Sequence, residues 1–235
     1  MHTSIALSAP APGASPAVLE TNHGLPELRV FDRAGAGRDQ LEHYIGGVFA
    51  AAYGAAVSGF MPLLAGLYGG AEPEAALGLR SAARQSLFCE QYLERPVEHF
   101  TRSLYGVTVR RSQVMELGNL AVSRGGHSGI LYLLVACALR AADVDFLLFA
   151  GNKAVRRSIA RCGFSPRPIQ AARPECLPDG GRCWGSYYAS EPVVMLADIR
   201  RIVRQAGTQP GMVALMAHYA GAIDSLAAAV AREAA

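Results

Sequence analysis

Residues 114–129 read VMELGNLAVSRGGHSG and place one carboxylate, Glu116, in an apolar run that a glycine-rich segment follows. A buried carboxylate has a raised pKa and can take a proton near neutral pH. A glycine-rich loop between a strand and a helix presents backbone N–H groups that suit a phosphate, although the same glycines are also typical of a plain turn. The pattern therefore indicates either proton transfer beside an anion-binding loop, or only a turn.

The glycine-rich segment matches neither of two common nucleotide-binding motifs. A P-loop ends in Gly-Lys-Ser/Thr, and a dinucleotide-binding strand–helix unit carries G-x-G-x-x-G with an acidic residue after the next strand. Neither pattern occurs here, and no acidic residue ends the run VDFLLFA. Nucleotide binding of these two kinds is not expected.

A cationic helix is predicted shortly afterwards, in NKAVRRSIARCGF. Lys153, Arg157 and Arg161 follow one another at i, i+4 and i+8, while Val155 and Ile159 lie on another face. Such a stripe is typical of a solvated surface. It would equally suit a partner or cofactor that carries phosphopantetheine, because the phosphate is anionic.

These residues are held by a predicted strand–helix–strand unit. We expect a strand at Val114–Val122, a loop, an apolar helix from Ile130, a buried strand over VDFLLFA and an amphipathic helix that ends at Gly163. Further predicted elements are a helix over 41–49, strands at 60–68, 75–80 and 193–196, a loop with a helical or irregular segment over 86–100 that Pro96 stops, a linker at 205–212 and a C-terminal helix over 212–235.

Composition limits the functional classes. The 235 residues are 51% hydrophobic and 17% charged, which predicts a globular chain, and the net charge of +3 is too small to indicate nucleic acid. Five cysteines without a C-x-x-C pair, and histidines without ligand spacing, predict neither disulfides nor a metal site. With no basic segment or sustained apolar core near the N-terminus, we expect a cytoplasmic protein whose residues 1–25 form a mobile tail.

An uncharged run, Tyr44–Gly70, is long enough to cross a bilayer. Its seven glycines, its proline and a change from helical to strand-like spacing favour a packed helix followed by a core strand. No stable membrane span is therefore expected.

Four blocks of the sequence resemble a bacterial family. LFCEQYLERPVE, VMELGNLAVSRGG, FLLFAGNKAVRRSIARCGF and WGSYYASEPVV are similar to the thermostable hemolysin family, over about Phe31 to Arg200. The element order also resembles the GNAT N-acyltransferase superfamily. The resemblance implies an α/β (α+β) domain over 26–205 with a mixed central sheet, a V-shaped splay and helices on both faces, followed by a linker and helix over 206–235.

The resemblance also implies roles for residues. MELGNLAV is similar to the Glu-x-Ser-Arg-Phe-x-Val strand of acyl-homoserine-lactone synthases, so that Glu116 falls on the glutamate near the acceptor amine and Asn119 takes the place of the arginine. The strand end and loop would bind acyl-CoA or acyl-phosphopantetheine. The donor-binding residues implied are Leu120, Ala121, Val122, Ser123, Arg124, Gly125, Gly126, His127, Ser128, Gly129 and Asn152.

The loop departs from the GNAT pattern, which it matches only loosely, and Ile159 stands where many GNAT enzymes carry a tyrosine that protonates the leaving thiolate. Either the thiolate leaves unassisted or another donor such as Tyr187 or Tyr188 serves. Both departures are compatible with an acyl carrier protein as donor. Lys153, Arg157 and Arg161 would then dock that acidic partner.

Several residues have two interpretations each. Glu90 could bind the acceptor amine or cap its own segment, and Arg80 could bind an acceptor carboxylate or end a strand in solvent. Trp184, Tyr187 and Tyr188 could line a substrate pocket or form core. His127 could simply face solvent. Cys89 and Cys183 fit buried structural thiols better than nucleophiles.

The sequence thus predicts an N-acyltransferase that moves an acyl group from a phosphopantetheine thioester to the amine of an amino acid or similar small molecule. Glu116 would act as general base or orient the amine, without an acyl-enzyme. Two alternatives stay open, namely a non-catalytic module that binds acyl chains or carrier protein, and a membrane-lytic protein.

Overall fold

A seven-stranded sheet with the strand order β1-β2-β3-β4-β5-β7-β6 forms the centre of the molecule. The computed structural model describes residues 24–123 and 126–235. The strands are β1 Glu27–Phe31, β2 Leu63–Gly69, β3 Glu72–Ser81, β4 Val114–Val122, β5 Phe146–Gly151, β6 Arg167–Ala171 and β7 Val193–Asp198. The helices are α1 Arg38–Tyr53, α2 Val97–Tyr105, α3 His127–Ala141, α4 Lys153–Arg161, α5 Ile199–Ala206, α6 Pro210–His218 and α7 Ala220–Ala234.

The sheet is mixed. β4 and β5 pair in parallel, and the other neighbouring strands pair antiparallel. A parallel pair needs a crossover connection, and α3 supplies it, because its apolar side chains Leu131–Val135 are all buried. The predicted strand–helix–strand unit is confirmed.

Helices cover both faces of the sheet, as predicted. One hydrophobic cluster packs α3, α5 and α7 against one face. The other cluster packs α1, α2 and an aromatic group around Trp184 against the opposite face. Alternate side chains of the central strands therefore enter different cores, which is why these strands are mostly apolar on both sides.

The parallel pair opens part-way along its length. Pairing joins only Val114, Met115 and Glu116 of β4 to Phe146, Leu147 and Leu148 of β5. Beyond Glu116 the two strands diverge, and the β4 edge from Leu117 to Val122 faces the gap instead of a neighbouring strand. This gap, which we call the β4–β5 opening, confirms the predicted V-shaped splay.

A bulge in β4 accompanies the divergence. Leu77 of β3 opposes both Asn119 and Leu120, and Asn119 has a φ of 51°. The buried Asn119 side chain accepts a hydrogen bond from the Met61 N–H at 2.8 Å and donates to the Gly59 carbonyl at 3.3 Å. Asparagine tolerates this left-handed conformation better than most residues, so it suits both the backbone and the amide contacts. Asn119 thus fixes the shape of β4 and the segment before β2.

Some elements differ from the sequence-based expectations. Pro96 does not stop a helix but precedes α2, because its fixed φ suits a helix start. α3 begins at His127, so Ser128 and Gly129 belong to the helix and not to the loop. β1 and β6 were not predicted.

The C-terminal region also differs from the prediction. The expected single helix is two helices, α6 and α7, bent by 73°. α7 buries Leu226 and Val230 in the core, so residues 220–234 pack on the domain. The expected N-terminal tail lies mostly outside the described residues.

The uncharged run Tyr44–Gly70 folds as the end of α1 and as β2, as expected. No single described helix has the length and apolar composition of a bilayer span. α6 and α7 meet that criterion only as a bent pair, and only by length and composition.

Candidate active site

Glu116 lies where β4 and β5 begin to diverge, and its side chain points to the face of α1 and α2. The residue is 0% exposed. Its two carboxylate oxygens accept hydrogen bonds from the backbone N–H groups of Phe88, at 2.8 Å, and Cys89, at 2.6 Å. Both donors belong to a short 3₁₀ turn, Phe88–Tyr92, which packs on β5. The carboxylate is thus held by backbone groups of a segment distant in sequence.

Burial raises the pKa of Glu116 above its ordinary value of 4.5. Removal from water disfavours the charged form, and this effect outweighs the Arg80 guanidinium and the hydrogen bonds from Cys89 and Phe88, which act in the opposite direction. A raised pKa brings a carboxylate closer to the range in which it can accept a proton from an amine.

Arg80 is the partner of Glu116 on the neighbouring strand. The two residues are paired in the register of β3 and β4, and the Arg80 Nη1 atom lies 3.8 Å from the Glu116 Oε2 atom. Arg80 is only 8% exposed, so it does not end its strand in solvent. Its Nε atom is buried and makes no hydrogen bond within the described residues. A buried N–H that has no partner is unfavourable, and a carboxylate of a bound molecule would satisfy it.

Cys89 is a buried thiol beside this pair. Burial raises the pKa of Cys89 well above its ordinary value, and the neighbouring Glu116 raises it further. A thiol in this state is a poor nucleophile. Burial also raises the pKa of the partly exposed Cys183 thiol, as does Asp179. Both cysteines fit the structural interpretation.

Glu90 lies in the same 3₁₀ turn but faces away from Glu116. Its carboxylate accepts hydrogen bonds from the backbone N–H groups of Leu87, at 2.9 Å, and Val97, at 3.1 Å, and binds the Arg111 guanidinium at 2.8 Å. Burial alone would raise the pKa of Glu90, but the bonds from Arg111 and from these N–H groups outweigh it and lower the pKa. Glu90 therefore holds the turn that holds Glu116, which matches the capping interpretation.

Aromatic side chains fill the space behind the 3₁₀ turn. Trp184 and Tyr187 are buried, and their rings lie 5.9 Å apart. The Tyr187 hydroxyl donates to the Ala150 carbonyl of β5 at 3.4 Å, and the hydroxyls of Tyr188 and Tyr92 are 2.6 Å apart. The three predicted substrate-binding aromatics therefore lie together on the Glu116 side of the sheet, with Trp184 and Tyr187 packed as core and Tyr188 half-buried against them.

The end of β4 and the start of α3 are tied to neighbouring elements. The Ser123 backbone N–H donates to the Tyr44 hydroxyl at 3.0 Å, and His127 contacts the Glu74 carboxylate at 2.9 Å and so does not simply face solvent. Gly126 has a φ of 92°, a conformation that glycine adopts without strain. Arg124 and Gly125 lie outside the described residues. Apart from Asn152, the predicted donor-binding residues that are described thus run from the β4 edge of the β4–β5 opening into the start of α3.

Asn152 lies at the other edge of this opening, where β5 ends. Its side chain caps α4 by accepting from the Val155 N–H at 2.9 Å, and it donates to the Tyr53 hydroxyl at 2.8 Å. The orientation of this amide is thereby fixed. Neither the cap nor the contact with Tyr53 was predicted.

An apolar cavity of about 40 Å³ lies on the opposite side of the sheet from Glu116. β4 contributes Leu117 and Leu120 to its wall, and β5 contributes Leu147 and Phe149. Helices α3, α4 and α5 contribute Tyr132, Val135, Ala136, Val155, Ile159, Ile199 and Ile202, and Phe164, Pro166 and Ala197 complete the wall. A cavity with this lining suits a hydrocarbon chain. Ile159, which replaces the expected tyrosine, is one of its walls.

The predicted cationic stripe is exposed. Lys153, Arg157 and Arg161 all face solvent along α4. Lys153 and Arg157 also line a surface groove with Asn152 and Ser190, next to the β5 edge of the opening. Among residues 24–123 and 126–235, no group of three His, Cys, Asp or Glu side chains could hold a metal ion.

Sequence reasoning missed the groups that position Glu116. The donors from Phe88 and Cys89 are backbone atoms, and any residue type can supply them. The weak signal was the block LFCEQYL itself, since it carries a carboxylate, Glu90, that binds the turn.

The raised pKa of Glu116 predicts a pH-dependent stability difference. Its contribution to folding stability is fully present below the unfolded value of 4.5 and is lost as pH rises through the elevated folded pKa. In urea unfolding between pH 4.5 and 8, wild type should lose stability relative to Glu116→Gln, with a limiting slope of about 1.4 kcal/mol per pH unit for one proton. The control Glu72→Gln changes an exposed carboxylate at the β2–β3 turn. If the unfolding free energies of wild type and Glu116→Gln changed in parallel with pH, the raised pKa of Glu116 would be contradicted.

Comparison with known proteins identifies a family and proteins of similar fold. No curated protein sequence matches the chain. FeeM, an N-acyl amino acid synthase from uncultured soil microbes, is similar in structure with a TM-score of 0.53 and 14% identity, over 75% of this chain and 93% of that chain. The acyl-homoserine-lactone synthase LasI is similar with a TM-score of 0.51 and 11% identity, over 75% and 91%. The fold is therefore GNAT-like. The family model for thermostable hemolysin matches residues 31–203, and the chain belongs to that family.

Proposed function

We propose that this protein is an N-acyltransferase that moves an acyl group from a phosphopantetheine thioester to the amine of an amino acid or similar small molecule. The observation that carries the proposal is the two-sided β4–β5 opening. A buried carboxylate, Glu116, lies on one side of the sheet at this point, and an apolar cavity lies on the other. An acyl thioester between the strands would have its carbonyl between an amine site and a hydrocarbon site.

The acceptor side supports an amino acid. The Arg80 Nε atom is a buried donor that an acceptor carboxylate can satisfy, and Glu116 beside it can take a proton from the acceptor ammonium. In an α-amino acid the carboxylate and the ammonium group are attached to the same carbon. They could therefore contact Arg80 and Glu116 at the same time, because these two residues are paired on adjacent strands. The similarity to an N-acyl amino acid synthase is one of fold and agrees with this acceptor class.

The donor side supports a thioester with an apolar acyl chain. N–H groups of β4 that point into the opening can hold the thioester oxygen as negative charge develops on it. The acyl chain would enter the cavity between Leu117 and Phe149. Side chains must rotate to admit a long chain, since the open volume of about 40 Å³ holds only a short part of one.

The reaction is direct attack. Glu116 takes one proton from the ammonium, and the neutral amine attacks the thioester carbon to form a C–N bond. The C–S bond then breaks, and the thiolate leaves with the second proton that the nitrogen releases. An acyl-enzyme is not required, which agrees with the buried, high-pKa thiol of Cys89.

A carrier protein is the favoured donor. Lys153, Arg157 and Arg161 are exposed on one stripe, and two of them line the groove beside Asn152. An acidic carrier protein would bind this stripe while its phosphopantetheine arm enters the opening. Free acyl-CoA, which carries the same phosphopantetheine arm, is the alternative donor.

The proposal predicts amine-dependent thiol release. Purified protein is mixed with acyl–carrier protein or acyl-CoA and a pool of amino acids, and free thiol is measured against Glu116→Gln. Loss of a positioned general base lowers turnover typically 10²- to 10⁴-fold, while acyl-donor affinity stays within a few-fold. Glu72→Gln, which changes an exposed glutamate, should retain full turnover.

Other outcomes separate the alternatives. Donor binding without turnover in wild type would favour a non-catalytic acyl-binding module. Neither binding nor turnover, together with release of dye from loaded vesicles, would favour a lytic protein. Equal turnover in wild type and Glu116→Gln would show that Glu116 does not transfer the proton, while acyl transfer by the protein would still be supported.

The docking stripe predicts a donor-specific defect. Arg157→Glu/Arg161→Glu should raise KM for acyl–carrier protein at least tenfold and leave KM for acyl-pantetheine unchanged, because only the carrier protein contacts the stripe. The matched control is Arg102→Glu/Arg110→Glu, which reverses two exposed arginines on the α2 side. Equal KM shifts in both double variants would contradict docking on α4.

A further inference from the structure

The 3₁₀ turn that holds Glu116 lies in the long connection between β3 and β4. Ser81 ends β3 and Val114 begins β4, and the connection contains the turn Phe88–Tyr92, helix α2 and a second short 3₁₀ turn, Arg111–Gln113. Ordering a connection of this length costs conformational entropy, so contacts must fix it in place. The N–H groups that hold Glu116 stay on its carboxylate only while the turn keeps its position.

Arg111 ties three parts of this connection together. Its Nε atom donates to the Ala82 carbonyl, just after β3, at 2.7 Å. Its Nη2 atom donates to Glu90 in the turn at 2.8 Å, and its Nη1 atom donates to Glu90 at 3.0 Å and to Glu98, in the first turn of α2, at 3.1 Å. A guanidinium can make these bonds together because its N–H groups form a rigid planar fork. We call the group of Arg111, Glu90 and Glu98 the Arg111 clamp.

The same turn joins the Arg111 clamp to the buried carboxylate. Phe88 and Cys89 donate their backbone N–H groups to Glu116, and the next residue, Glu90, is bound by Arg111. The Arg111 side chain is 33% exposed and that of Glu90 is 13% exposed, whereas Glu116 is fully buried. The clamp is therefore the outer layer of a contact chain whose inner end is the carboxylate.

The geometry of the clamp indicates more than a contribution to overall stability. Partly exposed ion pairs add little to folding stability on their own. A guanidinium that joins two carboxylates and a carbonyl from three segments fixes the relative positions of those segments instead. The segment that gains most from this is the turn, because two of its N–H groups must reach one carboxylate.

We propose that Arg111 is a positioning residue for Glu116. It fixes Glu90, and thereby the turn whose N–H groups hold the carboxylate. A group that takes a proton from the acceptor amine must be held in one orientation, since a displacement of about 1 Å can cost 10²-fold in rate. This role in acyl transfer rests on the proposed function, whereas the role of Arg111 in holding the turn does not.

Release of the turn would change the surroundings of Glu116. The charged and titratable side chains that act on this carboxylate are Arg80 on β3 and Cys89 in the turn. Burial has the largest effect on the pKa of Glu116 and raises it, while the N–H bonds of the turn lower it. A released turn admits water and gives up these bonds together. Because burial is the larger effect, the pKa of Glu116 should then fall towards its ordinary value.

Amide hydrogen exchange tests the position of the turn without any turnover. In Arg111→Met, the Phe88 and Cys89 amides should exchange at least tenfold faster than in wild type, while amides in the middle of β2 exchange as before. Arg111→Lys should cause a smaller increase, because an ammonium keeps the charge but lacks the fork. The matched control is Arg200→Met, which removes an arginine of similar exposure that contacts two aspartates at the start of α5. It should leave exchange of the turn unchanged.

Kinetics separate positioning from a purely structural role. Arg111→Met should lower kcat at least tenfold and keep KM for the acyl donor within a few-fold, because the donor binds in the β4–β5 opening. The acid limb of its kcat/KM profile should move to lower pH, as the pKa of Glu116 falls. Arg111→Met/Glu90→Gln should lose no more kcat than the more affected single variant, since both changes break one contact chain. Arg200→Met should keep the wild-type kcat and pH profile.

Two results would overturn the proposal. Wild-type exchange of the Phe88 and Cys89 amides in folded Arg111→Met would show that the turn is held without Arg111. Fast exchange of the turn with an unchanged kcat and pH profile would show that its position does not matter to the reaction. Thermal melting establishes that each variant is folded, and Arg111→Lys carries the same test if Arg111→Met does not fold. A wild type that transfers no acyl group would refute the proposed function, while exchange would still decide whether Arg111 holds the turn.

Discussion

The burial of the Glu116 carboxylate is the constraint on which the rest of the site depends. An ionised carboxylate that is removed from water is strongly unfavourable unless hydrogen bonds and an opposite charge compensate it. Here the compensation comes from three places: the N–H groups of Phe88 and Cys89, and the Arg80 guanidinium on β3. It is incomplete, and the raised pKa of Glu116 is the result. Because the buried charge is only partly compensated, the carboxylate can accept a proton more readily than an ordinary glutamate.

Where β4 and β5 diverge, the two sides of the sheet offer a polar and an apolar environment. β4 keeps its pairing with β3 throughout, through a bulge that Asn119 stabilises, and loses its pairing with β5 after Glu116. Side chains before and after this position point alternately to the two cores. A polar pair, Arg80 and Glu116, can therefore lie within a few residues of an apolar cavity that begins at Leu117. Because a strand alternates its sides, a single gap in pairing gives access to both environments.

Local patterns predicted the parts of the fold that depend on neighbouring residues. β4, α3, β5 and α4 were predicted because each has its own hydrophobic periodicity, and the resemblance in four blocks supplied the splay and the importance of Glu116. Long-range contacts could not be predicted in this way. The 3₁₀ turn at Phe88–Tyr92 binds Glu116 through backbone atoms, and the Asn119 amide binds a loop about sixty residues away. The bend between α6 and α7 was likewise not predicted, and α7 after it packs on the core.

Hydrogen exchange of the β4 backbone tests the central claim most directly. Amide exchange is measured with and without an unreactive thioether analogue of an acyl–carrier phosphopantetheine. The account predicts slower exchange for amides of Leu117–Val122 that point into the β4–β5 opening, together with Phe149 at the cavity wall. Unchanged exchange along this edge, with protection confined to another surface such as the groove at Glu94 and Arg95, would contradict it.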